Sequence, residues 1–346
     1  MEKKSFGLDI GLRTIKAVWL SKTKDGFTLE ASITSPSSLK GMTSESPLDE
    51  EEMAGVIKKT VEDAKITTKF VNVALPESQV YTKVVDMPVL SDKELSSAIY
   101  WEAEQHIPVP LSSITLAWSV LKRPPRTTSS EKMQVLMVGA PVSLINKYQK
   151  VLSMAGFRIN VLETEILSMV RALITGEDFP SSIIIDLGSV STTITLIREG
   201  IVVFTYPVPT GGMAINRAIE TDFEFTPDQA EEYKRTYGIS KEAFGGKIGK
   251  ATEPILNSIL GEVRKALVFY KEKYKDDKPI RQIILTGGTA KLPDIDLYFA
   301  QNSNIETVIA NPFKILTNVK DFPKEIVENA SDYTIAVGLA LKDYEE

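Results

Sequence analysis

The sequence contains no cysteine and a single histidine, His106. The first absence excludes disulfides and thiolate metal sites, and it fits a reducing cytoplasm. The second leaves a histidine-based catalytic triad or a zinc centre nearly excluded. No run of about 18 apolar residues occurs, so no segment is expected to span a membrane. The start, Met1-Glu2-Lys3-Lys4-Ser5-Phe6, leads directly into an apolar strand and lacks the core of a signal peptide. The end, Lys342-Asp343-Tyr344-Glu345-Glu346, is short and acidic and offers no amphipathic anchor. There is no basic excess either. The net charge is −6, which argues against nucleic acid as a partner.

What is present is ordinary globular material, 43% hydrophobic and 25% charged. At 346 residues the chain exceeds a single core, and at least two domains are expected. The opening predicts three strands, Phe6–Ile10, Ile15–Ser21 and Phe27–Ile33, with Asp25-Gly26 as a hairpin signal. A Ser/Pro/Gly-rich loop, Ser35–Ser46, precedes a helix capped at Ser46, with Pro47 at its first position and an apolar stripe of Met53, Val56, Ile57 and Val61. Val71–Leu75 is a strand. Ser91-Asp92-Lys93-Glu94 is a capping box opening a helix to about Gln105. Strands Thr115–Leu121 and Met133–Gly139 flank a Pro- and Ser-rich tip at Lys122–Glu131, and a helix over Pro141–Ala155 ends at Gly156. Leu162–Thr175 is expected to be helical. The second half repeats the theme with strands Ile183–Asp186, Thr193–Ile197 and Ile201–Tyr206 and a helix over Gly211–Thr221. A mostly helical stretch at about 225–280 follows, then a strand at 281–285 and a last helix near Tyr333–Leu341.

The internal repeat carries the most information. Asp9-Ile10-Gly11-Leu12-Arg13-Thr14-Ile15-Lys16 lies over Asp186-Leu187-Gly188-Ser189-Val190-Ser191-Thr192-Thr193, half a chain later. Each copy is an apolar strand, an Asp-x-Gly turn, a small hydroxyl residue and a second strand. A single Asp-x-Gly is no more than a hairpin turn. Two copies in equivalent places argue for paired phosphate grips. A carboxylate at a strand end can hold a hydrated Mg²⁺, here Asp9 and Asp186 acting through water. Glycine turns aim backbone N–H groups at phosphate oxygens, through Gly11 and Gly188. Thr14, Ser189, Ser191 and Thr192 add hydroxyl donors, and Lys16 and Arg13 add positive charge. Lys16 reads equally well as a strand residue facing solvent.

These residues resemble the actin-like ATPase superfamily, in which two related lobes clasp a nucleotide. The resemblance implies an α/β, actin-like (ribonuclease H-like) duplicated two-lobe fold with an interdomain nucleotide cleft. It implies phosphate motifs at Gly7–Val18 and Ile184–Thr195, and an adenosine motif at Ile284–Leu292 around Gly287 and Gly288. A Gly-Gly phosphate loop at Gly211 and Gly212 is similarly implied. Glu165, near the start of the connecting helix, stands where the superfamily places a water-orienting group, although a carboxylate at a helix start is also stabilised by the dipole alone. Glu262 and Lys265 are placed near the ribose, with an exposed i, i+3 salt bridge as the alternative.

Within the superfamily the chain is similar to the PilM family of type IV pilus assembly proteins. The likeness rests on Asp186–Thr193, on Ala74-Leu75-Pro76 through Pro88, on Glu102–Pro108 and on Val138–Pro141. It implies a first lobe at 1–86 and 161–180 with an inserted subdomain at 87–160, and a second lobe at 181–225 and 281–346 with a helical subdomain at 226–280. It also implies ATP or ADP with Mg²⁺ in the cleft. The implied partner is the N-terminal cytoplasmic peptide of a PilN-like inner-membrane protein, with pilus motor ATPases as further partners. The protein would then be cytoplasmic and peripheral at the inner membrane through that partner. Two departures stand out: Arg13 occupies a position where small residues are usual, and Pro293-Asp294 follows the adenosine motif in place of Gly-Leu. A filament or division protein of FtsA type and a sugar or metabolite kinase are the alternatives. No strong general base is evident near the cleft, so any ATPase activity is expected to be slow. His106 reads as a helix C-terminal cation, and Tyr100 or Trp101 as core or groove residues.

Overall fold

The computed structural model describes residues 4–125, 131–176, 178–275 and 278–345. The middle of the Pro- and Ser-rich tip, at 126–130, lies outside the described residues. Along the chain run β1 (Phe6–Ile10), β2 (Thr14–Thr23), β3 (Gly26–Pro36), α1 (Pro47–Asp63), β4 (Phe70–Leu75), β5 (Tyr81–Met87), α2 (Asp92–His106), β6 (Ile114–Lys122), β7 (Met133–Pro141), α3 (Val142–Met154), β8 (Arg158–Thr164) and α4 (Glu165–Leu173). Then come β9 (Ser182–Leu187), β10 (Thr192–Arg198), β11 (Ile201–Val208), α5 (Gly212–Phe223), α6 (Pro227–Tyr237), α7 (Lys247–Lys273), β12 (Gln282–Thr286), α8 (Ile295–Ser303), β13 (Glu306–Ile309), α9 (Lys324–Glu328) and α10 (Thr334–Leu341).

The repeat seen in sequence is a repeat of topology. One five-stranded sheet has the order β3-β2-β1-β4-β8, and the other has β11-β10-β9-β12-β13. In each, an antiparallel meander of three strands continues through two parallel strands. The central strands β1 and β9 are buried along their whole length, as expected of strands covered on both faces. One face of the first sheet is covered by α1 and α3, which bring Met53, Ile57, Tyr148 and Val151 to its core. One face of the second sheet is covered by α5 to α8, through Ile215, Ile259, Val263 and Phe299.

Between the two sheets lie α4 and α10. Every residue of α10 is buried, so it has no polar face. The two helices cross closely: a Cβ on Gly338 would sit 1.9 Å from the Ser168 carbonyl oxygen. On its other side α10 packs on β1, where a Cβ on Gly7 would meet the Ala336 oxygen at 2.1 Å. The N-terminal ends of both helices, Glu165 and Thr334, open into one cleft.

Two sequence expectations are corrected. The segment from Leu162 is not helical throughout: β8 runs to Thr164 and pairs in parallel with β4, and the helix starts only at Glu165. Pairing beside β4 overrides a local helical preference. The inserted sheet, of order β5-β7-β6, begins at Tyr81 and not at residue 87, because β5 pairs with β7 over its full length. α3, expected inside the insert, belongs to the first sheet's core, and β8, of which only residues 158–160 were expected there, forms that sheet's edge. The insert's own core lies between this sheet and α2, around Leu95, Ile99, Val135 and Met137. α2 carries the capping box read from the sequence, with Ser91 and Glu94 each bonded to the other's backbone N–H.

Candidate functional site

A cleft of about 670 Å³ opens between the two lobes. Its walls are the duplicated turns. The Gly11 N–H donates to the Thr14 carbonyl at 3.0 Å, and the Gly188 N–H donates to the Ser191 carbonyl at 3.0 Å. A Cβ would lie 2.8 Å from that same carbonyl oxygen in both turns, so each needs glycine for the same steric reason. Asp9 pairs across its ladder with Lys16, and Asp186 with Thr193. The cleft surface includes Asp9, Gly11, Arg13, Thr14 and Lys16 from the first lobe. From the second it takes Asp186, Gly188, Ser189, Ser191, Gly212, Gly287 and Gly288, and Glu165 lies at the floor.

Four expected residues do not line it. Thr192 is buried, and its hydroxyl donates to the Thr210 carbonyl at 2.7 Å. Gly211 backs the second turn, where a Cβ would meet Gly188 and Val190 backbone atoms at 2.7 Å. Glu262 and Lys265 pair with each other at 2.8 Å on the outer face of α7, because Ile259, Leu260, Val263 and Ala266 turn that helix's apolar face into the core. Glu231 and Lys234 of α6, at the same i, i+3 spacing and 2.7 Å apart, both lie on the cleft surface. Choosing between the two pairs requires knowing which helix faces the cleft.

The start of α5 also differs from expectation. The Gly212 and Met213 N–H groups donate to the Gly188 and Ser189 carbonyls at 2.9 and 2.8 Å. Those donors fasten the helix to the second turn and are not free for an anion. Lys291, inside the adenosine motif read from the sequence, and Asp332, which that reading missed, join the cleft as an ion pair at 2.6 Å. Asp332 follows an irregular stretch with no local motif, so only the fold brings it there.

The cleft is rich in partly compensated charge. Lys16 Nζ lies 3.3 Å from Asp9 Oδ2. Burial opposes the lysine's charge, but Asp9, Asp332 and Asp186 outweigh it and raise its pKa above the ordinary value. Burial, reinforced by Asp9, pushes Asp186 up to about 7. Burial and then Asp186 raise Glu165 well above the carboxylate range, although it accepts the Glu77 N–H at 2.9 Å. Glu77, buried beside it, is pushed up to about 7 by desolvation. Asp9 and Asp186 both line the cleft, and the Asp9 charge adds to the cost of ionising Asp186, a cost that a divalent cation would relieve. Two carboxylates with waters and phosphate oxygens are the donor set Mg²⁺ takes. A bound Mg²⁺ would neutralise phosphate charge between them. Among the described residues no group of three His, Cys, Asp or Glu forms a protein-only metal cage.

These raised carboxyls set a pH dependence. In the folded chain Asp186 and Glu77 hold protons up to about pH 7, whereas in the unfolded chain they release them near pH 4. The folded state thus binds more protons between those values, and the stability they contribute is lost as pH rises through about 7. The ligand-free protein is expected to melt at a higher temperature at pH 5.5 than at pH 8, by differential scanning calorimetry. Glu77→Gln should flatten that slope.

A family profile described as "Type IV pilus assembly protein PilM" matches residues 7–344. The chain belongs to the PilM family. The cell division protein FtsA of Streptococcus pneumoniae serotype 2 (strain D39 / NCTC 7466) is 24% identical over 326 residues, covering 83% of this chain and 71% of FtsA. The structure of a PilM-PilN type IV pilus biogenesis complex superposes with a TM-score of 0.86 at 24% identity, covering 100% of both chains. MreB 5 of Spiroplasma citri bound to AMPPNP superposes with a TM-score of 0.52 at 14% identity, covering 100% of this chain and 96% of that one. The family's fold is the actin-like one, and its two lobes here are the two duplicated sheets with their helices. No helix among the described residues is long and apolar enough to cross a membrane.

Proposed function

We propose that this PilM-family chain binds ATP or ADP with Mg²⁺ in the interlobe cleft and serves as a docking subunit of a type IV pilus or related inner-membrane assembly platform. The observation that carries the nucleotide reading is the pair of matching Asp-x-Gly turns on facing lobes, with Asp9, Lys16 and Asp186 between them. In this reading Gly11, Arg13, Thr14, Gly188, Ser189 and Ser191 hold phosphates, Gly287 and Gly288 face the nucleoside, and Glu231 and Lys234 stand at the ribose side. Gly212 lies against the phosphates without offering its N–H. Hydrolysis is expected to be slow, because burial raises the Glu165 pKa well above the ordinary carboxylate value and so disfavours the ionised form a general base needs.

The partner reading is supported by family membership and by the similar structure of a PilM-PilN complex. It takes the N-terminal cytoplasmic peptide of a PilN-like protein into the groove between the first lobe and the insert, with motor ATPases as further partners. The protein then sits in the cytoplasm at the inner membrane through that peptide. α2 leaves Tyr100 and Trp101 exposed on its outer face, Trp101 by 71%, while Leu95 and Ile99 fill the core. His106, in the last turn, pairs with Glu102 at 3.6 Å. Fluorescence anisotropy with a labelled PilN-type peptide, with Mg-ATP present, tests this. Saturable binding to the full chain is expected, and no binding at accessible concentrations would remove the partner reading.

A further inference from the structure

The inserted sheet does not hang from the first lobe alone. Its strand β5 starts at the cleft floor and ends against the second lobe. At its near end Pro76, Ser78 and Gln79 line the cleft, and the Glu77 N–H is held by Glu165. At its far end Asp86 pairs with Lys273, in the last turn of α7, at 2.9 Å. Gln134 of β7 donates to Asp86 Oδ1 at 3.1 Å and approaches the Tyr274 hydroxyl at 3.5 Å. Lys122 at the end of β6 lies 3.9 Å from Glu199, in the β10–β11 turn. Between these polar ends, Val84 and Leu121 pack on a cluster containing Ile197 and Val202 of the second lobe. A strand of seven residues spans about 23 Å, so one rigid element reaches from the cleft floor to the outer end of α7.

We propose that the insert is a brace between the lobes, with the Asp86–Lys273 ion pair as its clasp, so that nucleotide retention and the insert's position are two readings of one equilibrium. The brace stands on the contacts just described, and its link to nucleotide rests on the proposed function above. Opening the cleft moves α7 relative to β5 and strains the clasp. Whatever displaces the insert loosens the cleft. By linkage, a peptide docked on the insert changes nucleotide affinity by the same factor that nucleotide changes peptide affinity. Asp86 is held below the usual carboxylate range despite partial burial, because Lys273 and Gln134 support its charge, so the clasp persists through neutral pH.

The absence of cysteine makes the test clean. Nitroxide labels at Glu104→Cys on α2 and Lys271→Cys on α7, both at exposed positions, report the distance between insert and second lobe by pulsed electron resonance. Lys273→Glu is expected to broaden that distance distribution and to speed Mg-ATP dissociation about fivefold, the scale of a coupled ion pair. The charge-swapped pair Asp86→Lys with Lys273→Glu should restore both. Should Lys273→Glu fail to fold, Lys273→Met removes the charge and keeps the aliphatic stem. Unchanged distances in the single variant, or no recovery in the swapped pair, would overturn the brace. Broadening with an unchanged dissociation rate would overturn the coupling. A chain that binds no nucleotide would overturn the proposed function, while the distances still decide the brace.

Discussion

Replacing Gly338 with valine is expected to leave the chain largely unfolded. The new Cβ would sit 1.9 Å from the Ser168 carbonyl oxygen and 2.5 Å from its carbon. Both are backbone atoms, and neither helix can yield: all of α10 is buried, and Ser168 is fully buried on α4. Overpacking that must move backbone belongs to the class of substitutions costing more than about 4 kcal/mol, a large part of a typical total of about 5–15 kcal/mol. Gly55 is the control. It lies on the exposed side of α1 with nothing within 4 Å of its would-be Cβ, so Gly55→Ala should stabilise by about 0.5–1 kcal/mol. Urea unfolding followed by circular dichroism separates the two. A folded, cooperative Gly338→Val protein would mean that the close crossing of α4 and α10 does not hold the lobes together.

Asp186→Asn should act in opposite directions on stability and on ligand binding. Without ligand the Asp186 carboxylate is buried, and desolvation, with the Asp9 charge adding to it, raises its pKa from 3.8 to about 7. Such a displacement corresponds to at most about 4 kcal/mol of destabilisation once the group ionises. Asparagine keeps the shape and removes that charge, so at pH 8 the empty variant should melt at a higher temperature than the parent. The same change removes one of two carboxylates available to Mg²⁺, and Mg-ATP affinity should fall at least tenfold, about 1.4 kcal/mol or more. A gain in stability bought at the expense of binding marks a functional site. A variant that loses stability, or keeps full affinity, would show that the Asp186 charge serves the fold.

How much of this was legible beforehand follows from range. The turns at Gly11 and Gly188 are local, and a repeated strand–turn–strand pattern exposes them. The buried strand at Ile183–Asp186 shows in its β-branched run for the same reason. β8 was hidden because its strand character comes from pairing with β4, where Phe70 meets Arg158 and Leu75 meets Thr164 across a long separation in the chain, and not from its own sequence pattern. Lys234 was passed over for Lys265 because both lie in Glu-x-x-Lys spacings, and only packing decides which helix faces the cleft. Asp332 reaches the site through the return of α10, and Asp86 meets Lys273 across two domains, so neither contact has a local signature. The occupied N–H groups of α5 carry the same lesson: a Gly-Gly helix start looks like an anion site until the neighbouring turn is seen to use its donors.

The central claim is that the cleft between the duplicated turns holds a magnesium-bound nucleotide. Isothermal titration of the full chain with ATP at pH 8, with and without Mg²⁺, and of Asp186→Asn alongside, tests it most directly. The account predicts saturable one-to-one binding that strengthens with Mg²⁺ and loses most of that gain in the variant. No binding by the folded parent chain, or binding equally strong without Mg²⁺ and in Asp186→Asn, would contradict it.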